Sequence, residues 1–307
     1  MKGLLYASDL SAGDMDALIS RATELKKRLK SGQTVASLKG KVVGLLFEKP
    51  STRTRTGFEV GTLRLGGHSL YLAAGELQLS RGEPVKDTAR ILGSYLDVIV
   101  ARVYAQETVD QLARFAGIPV VNALSDLEHP TQIVADFFTI KETKGKLEGL
   151  KIAYVGDGDN VCNSLVVASA IQGIDISVAC PRNYQPNDGI LEKALEAAKS
   201  SGSKVEITDE PTKAASDADV VYTDVWVSMG EEAEKTRRLR AFKGYQVNSK
   251  LLEVAKPDVS VMHCLPAHRG LEITDDVIEG PHSIVWLQGE NKLYGAAAVL
   301  EWLAGEK

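Results

Sequence analysis

The strongest constraint on the fold is a rhythm in which Val- and Ile-rich apolar runs alternate with stretches of helical periodicity. In the first half the runs are KVVGLLF (41–47), HSLYL (68–72), DVIVARV (97–103) and PVVNAL (119–124). In the second they are KIAYVG (151–156), ISVAC (176–180), KVEIT (204–208), VVYTDV (220–225), VSVMHC (259–264) and SIVWL (283–287). Runs that stay apolar without alternation indicate strands covered on both faces, and strands alternating with helices indicate βαβ units. The predicted class is therefore α/β, with two doubly wound parallel-sheet domains joined by interdomain helices. Length agrees, because 307 residues exceed what a single hydrophobic core usually fills.

The boundary is expected in KGKLEG, Lys144 to Gly149, giving domains of 1–146 and 147–307. Before it, HPTQIVADFFTIKETKG places Pro130 in a first helical turn and Ile133, Phe137 and Ile140 along the following turns, as a linking helix would. At the other end ENKLYGAAAVLEWLAG reads as a closing helix, about 289–307, expected to pack back on the first domain.

Composition removes several function classes. A formal charge of −5 and a pI near 5.7 give no reason to expect nucleic acid, so any anion site must be local. Cys162, Cys180 and Cys264 are odd in number and lack C-x-x-C spacing, which argues against a disulfide framework and a zinc knuckle. No run approaches the roughly 18 apolar residues of a membrane span, and MKGLLYASDL meets Asp9 before a signal-peptide core could form. The expectation is a cytoplasmic protein with no membrane partner.

The stretch FEKPSTRTRTGF, Phe47 to Phe58, sets hydroxyls and two guanidiniums between a buried strand and a helix. Ser51 is a natural N-cap for a helix from Thr52 to about Leu65, stopped by Gly66-Gly67. A helix N-terminus offers unpaired N–H donors and part of a positive charge, and Ser51, Thr52 and Thr54 add hydroxyls, so a phosphate fits there. Arg53 and Arg55 point about 200° apart around a helix. Arg53 is assigned to the ligand and Arg55 to a structural ion pair. Elsewhere such a cluster is usually a solvated basic loop; here it follows a buried strand, and it lacks the G-x-x-x-x-G-K spacing of a P-loop.

Together with STRTRT, the segments ARVY (101–104), HPTQ (129–132), DVWVSMG (224–230) and HCLPAHRG (263–270) resemble, in order over nearly the whole chain, the aspartate/ornithine carbamoyltransferase family. The last two resemble the members that act on ornithine. The resemblance implies transfer of the carbamoyl group of carbamoyl phosphate to the side-chain amine of L-ornithine, giving L-citrulline and phosphate through a tetrahedral intermediate. It also implies no metal or organic cofactor, a cleft between a carbamoyl-phosphate domain and an amino-acid domain, and a homotrimer or multiple of trimers.

Residue by residue, the resemblance gives Ser51, Thr52, Arg53, Thr54, Arg102, His129 and Gln132 to carbamoyl phosphate, with the Leu265 carbonyl accepting from the carbamoyl NH2. Arg102 ends a strand at the carboxyl edge, where open α/β sheets hold ligands, and His129 and Gln132 share a helical face. Asn160 is implied to contact the amino acid. VGDGDNVCNSL fails as a dinucleotide fingerprint because Val161 stands at the third glycine, and it departs from the family at Asp159 and Asn163. Asp224 is implied to meet the α-ammonium, with Ser228 assisting and the Met229 backbone donating to the α-carboxylate. Cys264 is placed beside the reacting amine. On strand alternation His263 and Cys264 face opposite ways, which argues against a shared metal.

Two questions of energetics remain. By analogy with Lys the acceptor amine has a pKa of about 10.4, so near pH 7 only about one molecule in 10³ is neutral, a deficit of roughly 4–5 kcal/mol. The cationic cleft, with Cys264 and Asp224 to take or relay the proton, is expected to favour the neutral amine. Lys292, in GENKLYG, stands where the family usually has Arg, keeping the charge but losing the planar fork; it is implied to help bind the carbamoyl carbonyl. The alternatives are transfer to another amine such as putrescine, a non-catalytic carbamoyl-phosphate-binding relative, and a dehydrogenase.

Overall fold

The computed structural model describes residues 3–227 and 232–305. In chain order the first elements are α1 (Ala12–Lys30), β1 (Val42–Phe47), α2 (Thr52–Arg64), β2 (His68–Ala73), α3 (Val85–Tyr95), β3 (Val98–Arg102), α4 (Gln106–Phe115), β4 (Val120–Leu124) and α5 (Pro130–Lys144). There follow β5 (Lys151–Val155), α6 (Asn160–Ile171), β6 (Asp175–Ala179), α7 (Asp188–Ser201), β7 (Val205–Thr208), α8 (Pro211–Ala215) and β8 (Val220–Thr223). The chain closes with α9 (Lys235–Ala241), α10 (Ser249–Leu252), β9 (Ser260–His263), α11 (Asp275–Ile278) and α12 (Val285–Ala304).

Two compact units result, one of Met1–Phe138 with Glu290–Lys307 and one of Thr139–Gly289. The first holds a parallel sheet in the order β2-β1-β3-β4, the second a parallel sheet in the order β7-β6-β5-β8-β9. The α/β class with two doubly wound sheets is the one read from the apolar runs. β3 and β4 are buried at every position, which is why their runs do not alternate. In the first unit Leu46, Ile99, Ala101, Val109, Leu112 and Val120 share one core cluster; in the second, Val155, Val221, Phe242, Val261 and Ile273 share another.

One expected strand is absent. SIVWL (283–287) contributes only a bridge from Ser283 to Val261, and Val285 opens α12. Val285 is buried in the core of the second unit, so the apolar signal was real; a five-residue run does not distinguish a strand from the first turn of a buried helix.

In both sheets the chain first builds outward and then returns to the other side of its starting strand. β1 is flanked by β2 and β3, and β5 by β6 and β8. The loops leaving the carboxyl ends of β1 and β3, and of β5 and β8, part at these switch points, the usual ligand position in open α/β sheets.

Candidate active site

In the first unit, β1 runs through Glu48 to Pro50 into α2, whose N-cap is Ser51: its Oγ accepts from the Thr54 N–H at 3.3 Å. Arg55 turns away, pairing with Glu59 at 2.9 Å and lying over the Tyr71 ring at 3.5 Å, so the expected structural ion pair is present. The Arg53 side chain makes no hydrogen bond or ion pair among the described residues, which leaves its guanidinium available. Arg102 faces Phe47 across the sheet, and its carbonyl accepts from Glu48 N–H at 2.8 Å, tying the loop to the end of β3. Between Ala101 and Arg102 the register against β4 shifts by one residue, with Leu124 at φ 148°. Such a bulge re-aims the side chain beside it, here Arg102.

His129 and Gln132 enter the same unit from the start of α5, with Gln132 N–H donating to the His129 carbonyl at 3.0 Å. Lys292 on α12 donates from Nζ to Gln132 Oε1 at 2.5 Å. Burial first, then the Lys292 and Arg102 cations, hold the His129 pKa well below the usual histidine value, so its ring is neutral near pH 7. A neutral imidazole near two cations donates or accepts hydrogen bonds without adding repulsion against them.

The second unit is built differently. Gly158 in the β5–α6 loop is required by contact: a Cβ there would lie 2.4 Å from Pro186 N and 2.6 Å from the Tyr184 carbonyl oxygen. Asn160 then opens α6, its Nδ2 donating to Asp159 Oδ2 at 3.2 Å. Asn163, one of the departures from the family pattern, accepts from Asn187 N–H at 2.9 Å and so fastens α6 to the N-cap of α7. Asp224 follows β8, and its Oδ1 accepts from Val225 N–H at 2.8 Å.

Asp224, His263 and Cys264 each bring a polar atom within 4.8 Å of the others, so the expectation that His263 and Cys264 face apart is corrected. Alternation ends with β9 at His263, and at Leu265 the chain turns through φ 62°. His263 is nevertheless spoken for at both nitrogens. Nδ1 accepts from Leu265 N–H at 2.9 Å, and Nε2 lies 3.1 Å from Glu272 Oε1. That bracket fixes the tautomer and supports the strained turn presenting Cys264 and Leu265, and it leaves the ring no free lone pair for a metal. Burial, then Cys162, Asp224, Asp157 and Cys264, push the Tyr154 phenol well above its ordinary pKa.

The family model described as "Aspartate/ornithine carbamoyltransferase, carbamoyl-P binding domain" matches residues 2–142, and the corresponding "Asp/Orn binding domain" model matches residues 148–303. The chain belongs to the aspartate/ornithine carbamoyltransferase family. Among relatives, the ornithine carbamoyltransferase of Methanosarcina mazei is 53% identical over 299 residues, 97% of this chain and 98% of that protein. The catabolic ornithine carbamoyltransferase of Thermoplasma volcanium is 52% identical over 287 residues, covering 94% and 93%. The solved structure of ornithine carbamoyltransferase from Pyrococcus furiosus superimposes with a TM-score of 0.96 at 48% identity, covering 100% of this chain and 98% of that one.

Against the residues expected of this carbamoyltransferase from its sequence, Arg102, His129, Gln132 and Lys292 form one buried cluster, and Ser51 to Thr54 lie at the adjoining strand end. Asp224 and Cys264 are together. Asn160 opens α6 at the same switch point, while Ser228 and Met229 fall outside the described residues.

The sequence reading missed the supports. Asn122 Nδ2 reaches Leu5 O, Gln106 Oε1 and the carbonyl of Glu128, the residue before His129, and Glu128 Oε2 accepts from Ala7 N–H at 2.7 Å. Asp157 pairs with Arg238, which also donates to the Trp226 carbonyl at 3.2 Å, joining the loop that carries Asn160 to the one that carries Asp224. The available signal was an acid or amide in an otherwise apolar run, as with Asn122 in PVVNAL.

Proposed function

We propose that this chain transfers the carbamoyl group of carbamoyl phosphate to the side-chain amine of L-ornithine, giving L-citrulline and phosphate. The observation that carries this reading is the buried cluster of Arg102, His129, Gln132 and Lys292 at the switch point reached by the capped start of α2. The names of the relatives and the two domain models support it.

In this mechanism Ser51, Thr52, Arg53 and Thr54 hold the phosphate at the helix N-terminus. Arg102, His129 and Lys292 are placed around the carbamoyl oxygen, which gains negative charge as the amine attacks; each such donor typically lowers the barrier by about 3 kcal/mol. Gln132 and the Leu265 carbonyl take the carbamoyl NH2. Asp224 pairs with the α-ammonium of ornithine, Asn160, Ser228 and the Met229 backbone hold the rest of its α-amino-acid end, and Cys264 with Asp224 receives the proton the side-chain amine must lose. The tetrahedral intermediate collapses with phosphate leaving, so no covalent enzyme intermediate and no cofactor is called for.

Exposed apolar side chains in the first unit, Leu63, Leu70, Ile91, Tyr95 and Tyr104, support assembly into a homotrimer. Among the described residues no helix is long and apolar enough to cross a membrane. A place in arginine biosynthesis is supported by the name of a relative, the anabolic ornithine carbamoyltransferase of Pyrococcus furiosus. The test is citrulline formation from ornithine and carbamoyl phosphate, with and without Arg53→Ala, beside putrescine as acceptor. Citrulline formation that collapses in the variant supports the reading. Faster transfer to putrescine than to ornithine would overturn the acceptor assignment, and carbamoyl phosphate binding without phosphate release would overturn the catalytic one.

A further inference from the structure

Asp136 lies one helical turn beyond Gln132 on α5, where side chains four apart share a face. Asp136 and Gln132 are sealed from solvent, at 0% and 1% exposure, and Lys292 stands at 9%. Gln132 Nε2 donates to Asp136 Oδ1 at 2.8 Å, while Gln132 Oε1 accepts from Lys292 Nζ at 2.5 Å. An ammonium only donates and a carboxylate only accepts. Reversing the amide would therefore set N–H against N–H on one side and oxygen against oxygen on the other, between side chains buried from bulk solvent. A glutamine without this bracket turns either end toward a ligand at little cost.

The end of Gln132 that faces Lys292, and with it the cluster containing Arg102 and His129, is thus its carbonyl oxygen. That oxygen keeps a second lone pair beyond the one given to Lys292. A carbamoyl group differs from an acetyl group of the same shape in bearing NH2 where the other bears CH3, and a fixed acceptor oxygen reads that difference. We propose that Asp136 is a positioning residue for donor specificity: by holding Nε2 it commits Gln132 Oε1 to the N–H of a carbamoyl donor, selecting carbamoyl over acetyl-type phosphates. The inference rests on the carbamoyl-phosphate reading of this half-site. It adds a residue that never touches the donor yet decides which donor is preferred.

The test uses two stable phosphonates of matched shape, phosphonoacetamide and acetonylphosphonate, titrated calorimetrically into the full-length protein. Wild type is expected to favour the amide by about tenfold or more, the worth of one well-made hydrogen bond in a buried site. In Asp136→Asn, whose side chain accepts or donates, the preference should fall by about tenfold, through weaker binding of the amide and with acetonylphosphonate changed less than about twofold. Asp136→Ser should behave likewise and serves if the first variant does not fold. Equal loss for both ligands would mean a merely structural role and overturn the proposal, as would a retained preference in either variant or no preference in wild type. Wild type that prefers the amide yet forms no citrulline would refute the proposed reaction and leave this inference standing. Citrulline formation without any preference would do the reverse.

Discussion

At the switch point of the four-stranded sheet, burial together with Lys292 and Arg102 drives the His129 pKa down; at that of the five-stranded sheet, burial together with Cys162, Asp224, Asp157 and Cys264 drives the Tyr154 pKa up. Both shifts keep the group neutral, and they arise from neighbours of opposite sign. The two locations are topologically equivalent, each lying beyond the carboxyl ends of two strands where the winding reverses. Backbone topology therefore supplied a place twice, and the loop side chains made one place fit for an anionic acyl donor and the other for a cationic amine. A donor that is an anion and an acceptor that arrives as a cation require that difference. It also lets each half be damaged separately.

The largest effects should come from removing one charged or donor group in either half. His129→Ala is expected to lower kcat by about 10²–10³-fold, as loss of an oxyanion donor does, with little change in the KM for ornithine. Asp224→Ala should instead raise the KM for ornithine strongly while inhibition by inorganic phosphate stays near the wild-type level. Steady-state kinetics with each substrate varied in turn checks both. If the two variants alter both substrates' constants alike, the halves are not chemically independent and the comparison fails.

The pH dependence sharpens it. Burial, then Lys292 and Arg102, hold the His129 pKa well below the usual histidine value, so a rise in rate between pH 6 and 8 is assigned to the substrate amine and not to this ring. The ornithine side chain, with a pKa of about 10.4 by analogy with Lys, becomes neutral up to about tenfold more often per pH unit in that range. Turnover at low ornithine should climb accordingly, and a flat profile with intact protein would show that deprotonation of the amine does not control the rate. Stability follows a separate sign. The folded His129 pKa lies below the unfolded value of about 6.5, so between these two values the unfolded chain binds more protons and folding weakens as pH falls. His129→Gln should remove that part of the acid loss, measured as the difference in melting temperature between about pH 7 and pH 5.

Much of the first half-site was legible because its signals are local. Ser51 caps α2, and Arg53 and Arg55 separate by helical angle, both within five residues of sequence. The parallel sheets were legible for a similar reason, since β3 and β4 carry unbroken apolar runs. What was hidden depends on partners far away in sequence. Glu128 and Ala7 are tied across 121 positions, and Lys292 and Gln132 across 160. Cys264 was misjudged for the opposite reason, because a local rule of alternation was carried one residue past the end of its strand. Had Gln132 and Asp136 been read as an i,i+4 pair, the support nearest the chemistry would have been found in the sequence.

The smallest expected effects compare the two halves through their glycines. A methyl group added at Gly158 would meet backbone atoms of Tyr184, Gln185 and Pro186 at 2.4 to 2.6 Å, and backbone cannot swing aside as a side chain can. Gly158→Ala should therefore cost about 1–3 kcal/mol and lower the melting temperature by several degrees, with ornithine binding weakened because Asn160 lies two residues on. At Gly57 in α2 the nearest atom to an added Cβ is the Lys292 carbonyl oxygen at 3.7 Å, an ordinary contact. Gly57→Ala should raise stability by about 0.5–1 kcal/mol, because alanine is the better helix former, while donor binding stays as it was. If Gly57→Ala also weakened binding, the start of α2 would be as tightly constrained as the β5–α6 loop. Tolerance at Gly57 and intolerance at Gly158 would instead show that, of these two positions, the turn leading to Asn160 is the more tightly packed.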